Sequence, residues 1–111
     1  MIKVQVFDNP RYLERYTIRV VDLKNGHNSY GITIGEDPNV HMCINPIEEC
    51  PPTGAEIPVE NLPKLHQEIM YGQLKRDILE KRYSQNAIPV ELLQKVLDTP
   101  IQETLFGNIE P

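Results

Sequence analysis

Six of the ten prolines fall between residues 35 and 63: Pro38, Pro46, Pro51, Pro52, Pro58 and Pro63. Proline lacks an amide hydrogen and its ring clashes with the preceding helical turn, so no regular helix crosses this stretch. The prolines therefore divide the chain. Ahead of them lie alternating patterns of strand type, and after them patterns of helical type. That order predicts an α+β fold. A length of 111 residues supplies one real core and not two, so a single domain is expected.

Ile2, Val4 and Val6 alternate with Lys3 and Gln5, the signature of a half-buried strand, and Asp8-Asn9-Pro10 ends it with turn chemistry. Tyr16, Ile18 and Val20 alternate with Thr17 and Arg19; Tyr30, Ile32 and Ile34 alternate with Gly31 and Thr33. A three-stranded antiparallel sheet is predicted. Asn25-Gly26 invites a two-residue hairpin turn. That turn would set Val21 opposite Tyr30 and split the apolar residues between faces. A three-residue loop, Lys24-Asn25-Gly26, sets Val20 opposite Tyr30, Ile18 opposite Ile32 and Tyr16 opposite Ile34. All six then share one face, and burial of one face fixes register. The same reading gives Gly26 a left-handed conformation in a bulge.

The 35–63 segment is expected to wrap the domain as a long loop, with a short strand at Val40–Ile44. Loops of this length are uncommon in compact domains and are often functional. Asn61-Leu62-Pro63 reads as a helix start, and one long helix is predicted from Pro63 to Tyr83, which either bends at Gly72 or is covered on both sides. Its apolar residues form two groups. Leu65, Ile69, Leu79 and Tyr83 fall on one side; Met70, Tyr71, Leu74 and Ile78 fall on the other. The sheet covers one side. A short amphipathic helix predicted over Pro89–Asp98 would cover the second, or failing that a homodimer would. Thr99-Pro100 ends that helix, because the residue before proline resists helical ψ. The organisation expected is a domain over 1–98 and a tail over 99–111.

The net charge is −5, and its distribution is uneven. Residues 35–63 carry Glu36, Asp37, Glu48, Glu49, Glu56 and Glu60 with no Lys or Arg. A duplex-binding protein concentrates basic charge, so no direct contact with nucleic acid is expected. The acidic segment instead suits an inhibitor or mimic that meets a basic partner. No apolar run approaches the length of a membrane span. With no secretory signal pattern at the start, the expectation is cytoplasmic residence without membrane association.

Histidine and cysteine give a weak metal set. His41, Cys43 and Cys50, joined by His27 or His66, contain the donor types for zinc, but their spacing is irregular and no C-x-x-C pair is present. Free thiols and no metal are expected. A thiol hydrolase would use Cys43 or Cys50 with a histidine base. Glu48-Glu49 before Cys50 oppose formation of a thiolate. No glycine-rich phosphate loop is present, and no cofactor is expected. A small metal protein or hydrolase is the third-ranked reading.

The tail carries the sharpest motif. Gln102-Glu103-Thr104-Leu105-Phe106 resembles the Q-x-x-L-F peptide that bacterial and phage replication proteins insert into the DNA sliding clamp. The resemblance implies that Gln102 hydrogen-bonds at the rim of a groove while Leu105 and Phe106 bury apolar area inside it. The alternative is a structural strap, with Leu105, Phe106 and Ile109 packed back on the domain. A looser likeness covers the first 40 residues. Phe7-Asp8-Asn9-Pro10, Arg15-Tyr16-Thr17, Tyr30-Gly31 and Glu36-Asp37-Pro38-Asn39 resemble small uncharacterised phage and bacterial proteins, as does the Asn61-Leu62-Pro63 helix start. That likeness implies an accessory protein and brings no activity. The sequence reading is a non-enzymatic interaction protein with a protein partner.

Overall fold

The structure is a computed structural model and describes residues 1–100. Five strands precede two helices: β1 (Ile2–Asp8), β2 (Tyr16–Asp22), β3 (Tyr30–Ile34), β4 (Met42–Pro46), β5 (Ala55–Ile57), α1 (Lys64–Leu79) and α2 (Val90–Asp98). The strands form one antiparallel sheet in the order β4-β3-β2-β1-β5. The α+β class is as read from the sequence, but the sheet has five strands rather than three.

Both additional strands come from the proline-rich segment, which is therefore not one long loop. β4 lies two residues later than the strand expected at Val40–Ile44. β4 and β5 are the two edges of the sheet. Pro46 ends β4 opposite Tyr30, at the edge of the sheet where proline is tolerated. Between them, residues 47–54 cross the face opposite the helices. Cys50 is buried on Gly31 in that crossing, and the Arg19 Nε donates to the Cys50 carbonyl at 3.1 Å.

The hairpin register is the expected one: Tyr16 opposes Ile34, Ile18 opposes Ile32 and Val20 opposes Tyr30. All six side chains are buried on one face. The turn itself differs. Asn25 caps a 3-10 turn at Gly26–Asn28, and the amides of Lys24 and Asn25 both donate to the Asp22 carboxylate at 2.9 Å. Gly26 is not in the left-handed region. Side-chain acceptors on Asp22 and Asn25 satisfy the turn's amides, so no glycine bulge is needed.

α1 is shorter than the Pro63–Tyr83 helix read from the sequence. It ends with Lys81 at φ 65°. The Arg82 amide donates to the Asp77 carbonyl at 2.8 Å and the Lys81 amide to the Ile78 carbonyl at 3.0 Å. This pair of bonds is a Schellman motif, which usually has glycine at the left-handed position.

The expected division of apolar residues on α1 is also corrected. Leu65 and Leu79 are exposed, while Ile69, Met70 and Leu74 reach the core. Two polar residues, His66 and Asp77, complete the buried stripe. The His66 Nε2 is 2.8 Å from the Gly35 carbonyl and its ring meets Tyr16 edge-on. α2 lies on the other flank of α1, where Val96 is fully buried and Leu92 and Leu93 are partly buried against the same core. Met70, Tyr71 and Leu74 are buried, and Ile78 is half-buried, within the one chain. No second subunit is needed to cover them. Among the described residues, no helix is long and apolar enough to cross a membrane.

Candidate functional site

The sheet presents its less covered face and one set of loop tips together. In register across this face run Glu56, Phe7, Thr17, Thr33 and Cys43, one residue from each strand. Phe7 and Thr17 are buried, while Cys43 is exposed. A cleft of about 340 Å³ opens here, with Thr17, Thr33, Asn45 and both cysteines in its walls and Glu14 and Glu49 at its sides. Its polar walls follow from the strand period: every side chain that alternates with the buried apolar set points this way.

The loop between β1 and β2 and the loop between β3 and β4 adjoin the cleft. The Arg15 guanidinium joins them. Its Nε and Nη2 donate to the two Asp8 carboxylate oxygens at 2.7 and 3.1 Å, and its Nη1 donates to Glu36 at 2.7 Å. The guanidinium also lies 5.1 Å from the centre of the Tyr16 ring. The second loop closes on itself through Asp37, whose carbonyl accepts from the Val40 and His41 amides. A pocket of about 250 Å³ between the loops is lined by Tyr12, Leu13 and Val40 with Glu36 and Asp37.

His41, Cys43 and Cys50 do meet, since all three line the larger cleft. Among the described residues, however, no group of three His, Cys, Asp or Glu side chains is placed to hold a metal ion. Both cysteines are free thiols. Burial pushes the Cys50 thiol above its usual range and the Glu49 charge adds to that, against a smaller opposing effect of Arg19. A thiol held protonated is a poor nucleophile and a poor ligand. His27 is exposed in the β2–β3 turn and His66 lies in the core under Gly35, so neither joins the cleft.

Gln102, Leu105 and Phe106 lie outside the described residues. The structure does describe the chain that leads to them. The Lys75 Nζ donates to the Leu97 and Thr99 carbonyls at 3.0 Å each, and the Thr99 hydroxyl donates to the Lys95 carbonyl at 2.6 Å. A Cβ on Gly72 would stand 3.8 Å from the Pro100 carbonyl, an ordinary contact. Gly72 therefore marks where the end of α2 passes over α1.

The sequence reading missed one polar centre. Asp77 is 1% exposed, and it accepts from the Tyr30 hydroxyl at 2.6 Å and the Gln73 amide at 2.9 Å. Arg82 stands 3.7 Å away at the surface. Burial raises the Asp77 pKa above the usual carboxylate value, partly offset by these hydrogen bonds. Burial also raises Tyr30, with the Asp77 charge acting in the same direction. The only available signal was an Asp set at helical spacing from Ile69, Met70 and Gln73. Comparison with protein-family models, curated proteins and solved structures gives no match.

Proposed function

We propose that this chain is a non-enzymatic interaction protein, of the accessory kind found in phage and bacterial genomes, that docks on a DNA sliding clamp. The observation that carries the proposal is Gln102-x-x-Leu105-Phe106, placed just beyond a helix end tied down by Lys75 and Thr99. In this reading the folded body is a carrier and the motif begins two residues after Pro100. Leu105 and Phe106 each contribute about 1.5–3 kcal/mol when fully desolvated. Ordering the peptide offsets part of that gain, and an affinity near micromolar, about −8 kcal/mol, is expected.

The test is calorimetry of a peptide of residues 99–111 with a bacterial-type sliding clamp. The wild-type peptide binds, and Leu105→Ala with Phe106→Ala abolishes binding. The same double substitution in the full chain leaves the melting temperature nearly unchanged. No binding by the wild-type peptide, with a large loss of stability in the double variant, would establish a strap and end the clamp reading.

A further inference from the structure

The polar cleft and the pocket between the loop tips share Tyr12 and His41, so they form one continuous surface. At its loop end Tyr12, Leu13 and Val40 are 53%, 68% and 71% exposed. Single exposed apolar residues are ordinary, but a group of three in a polar rim marks an interaction site. The rim is acidic. Glu14 and Glu49 border the cleft, Glu36 and Asp37 border the pocket, and no Lys or Arg lines the cleft. Arg15, the cation of the pocket, is already engaged by Asp8 and Glu36.

We propose that this surface docks a basic, amphipathic segment of a protein partner. Its apolar side chains cover Tyr12, Leu13 and Val40, and a Lys or Arg enters the cleft beside Glu14 and Glu49. Tyr12 offers a ring face to the same cation. The apolar group supplies desolvated area, and the carboxylates select sign and speed encounter. A nucleic acid backbone is repelled by the same charges. This surface is formed within residues 10–53 and does not depend on the tail.

The test uses the full chain and a short fluorescein-labelled peptide in which Arg and Leu alternate at helical spacing, followed by anisotropy. Binding is expected, and it weakens as salt is raised. Glu14→Gln with Glu49→Gln weakens it by at least about tenfold, as does Leu13→Ser with Val40→Ser. A counterpart with Glu in place of Arg does not bind. Truncation after Pro100 leaves binding unchanged. Both double variants replace surface side chains, and melting curves matching wild type verify their folds. Failure of the Arg-Leu peptide to bind overturns the proposal. So does wild-type affinity in either double variant, because the surface then lacks one of its two halves.

Discussion

The Tyr30 hydroxyl donates a 2.6 Å hydrogen bond to the Asp77 carboxylate, joining the first residue of β3 to the last turn of α1 inside the core. Removing the donor leaves a buried carboxylate with less compensation. Tyr30→Phe is therefore expected to cost about 1.5–3 kcal/mol, read from urea denaturation. Stability unchanged by the substitution would show that water replaces the hydroxyl.

The same pair predicts a pH dependence. Burial raises the folded pKa of Asp77 above its ordinary value of 3.8, so the folded state holds its proton more tightly than the unfolded state. The unfolded state then binds fewer protons, and stability falls as pH rises through the window above 3.8. Asp22 acts oppositely: amide hydrogen bonds, chiefly from Asn25, lower its pKa, and its contribution is lost as pH falls. The two are separated by difference. Asp77→Asn keeps an acceptor for Tyr30 and cannot ionise. Its stability relative to wild type should rise with pH above 3.8 and level off once the wild-type carboxylate is ionised. A flat difference across that range would remove the assignment.

Lys81 occupies the left-handed position after α1, at φ 65°. A side chain there places Cβ close to the following carbonyl, at a cost of about 1–2 kcal/mol, which glycine avoids. Lys81→Gly keeps both Schellman hydrogen bonds and should raise stability by about 1 kcal/mol. A lower melting temperature would mean that the Lys81 side chain makes a compensating contact.

Lys81 also explains one limit of the sequence. A helix stop is legible when glycine or proline marks it, and here neither does. The pattern of Leu79 and Tyr83 carried the predicted helix past its end. Tyr83 instead returns to the turn between β2 and β3, where its hydroxyl donates to the Asn28 carbonyl. The hairpin register was legible because six apolar residues admit only one alignment on one face. Its turn was not, because Asn25-Gly26 fits several turn types and Asp22 decides between them. Gly54 shows the converse. It alone among the described glycines has positive φ, 79°, and a Cβ there would meet the Asp8 carbonyl. In sequence it sat among prolines that read as loop. β5 was hidden for the same reason, and β4 was legible only as a short strand two residues too early, since edge strands tolerate prolines and short lengths that inner strands do not. The cleft was partly legible: His41, Cys43 and Cys50 were named as a metal set, and they do share it. Their neighbours Thr17, Thr33 and Glu14 come from strands and loops far away in the chain, and only the register brings them in.

Gly31 is a site where only glycine fits. A Cβ there would collide with the Cys50 Cβ and Sγ. Gly31→Ala should therefore cost about 1–3 kcal/mol through displacement of the 47–54 crossing. In a Cys50→Gly background the clash disappears, and the same substitution should cost much less. A double-mutant cycle measures that coupling, and additive costs would place the strain elsewhere.

The Lys75 ammonium donates to two carbonyls at the C-terminus of α2, where helical carbonyls otherwise lack partners and the dipole favours a cation. Lys75→Met keeps the aliphatic stem and removes both charged hydrogen bonds. A loss of about 1–3 kcal/mol is expected, with faster amide exchange in the last turn of α2 and little change in the sheet. This variant also separates a tether from a recognition element. If residues 102–106 alone engage a sliding clamp, full-length Lys75→Met binds it with wild-type affinity, because the tether holds the root of the segment and not the motif. If affinity falls while the isolated peptide of residues 99–111 still binds as before, then the fixed exit of the chain from α2 is part of the recognition surface. The comparison requires only calorimetry of three species against one clamp: wild type, Lys75→Met and peptide.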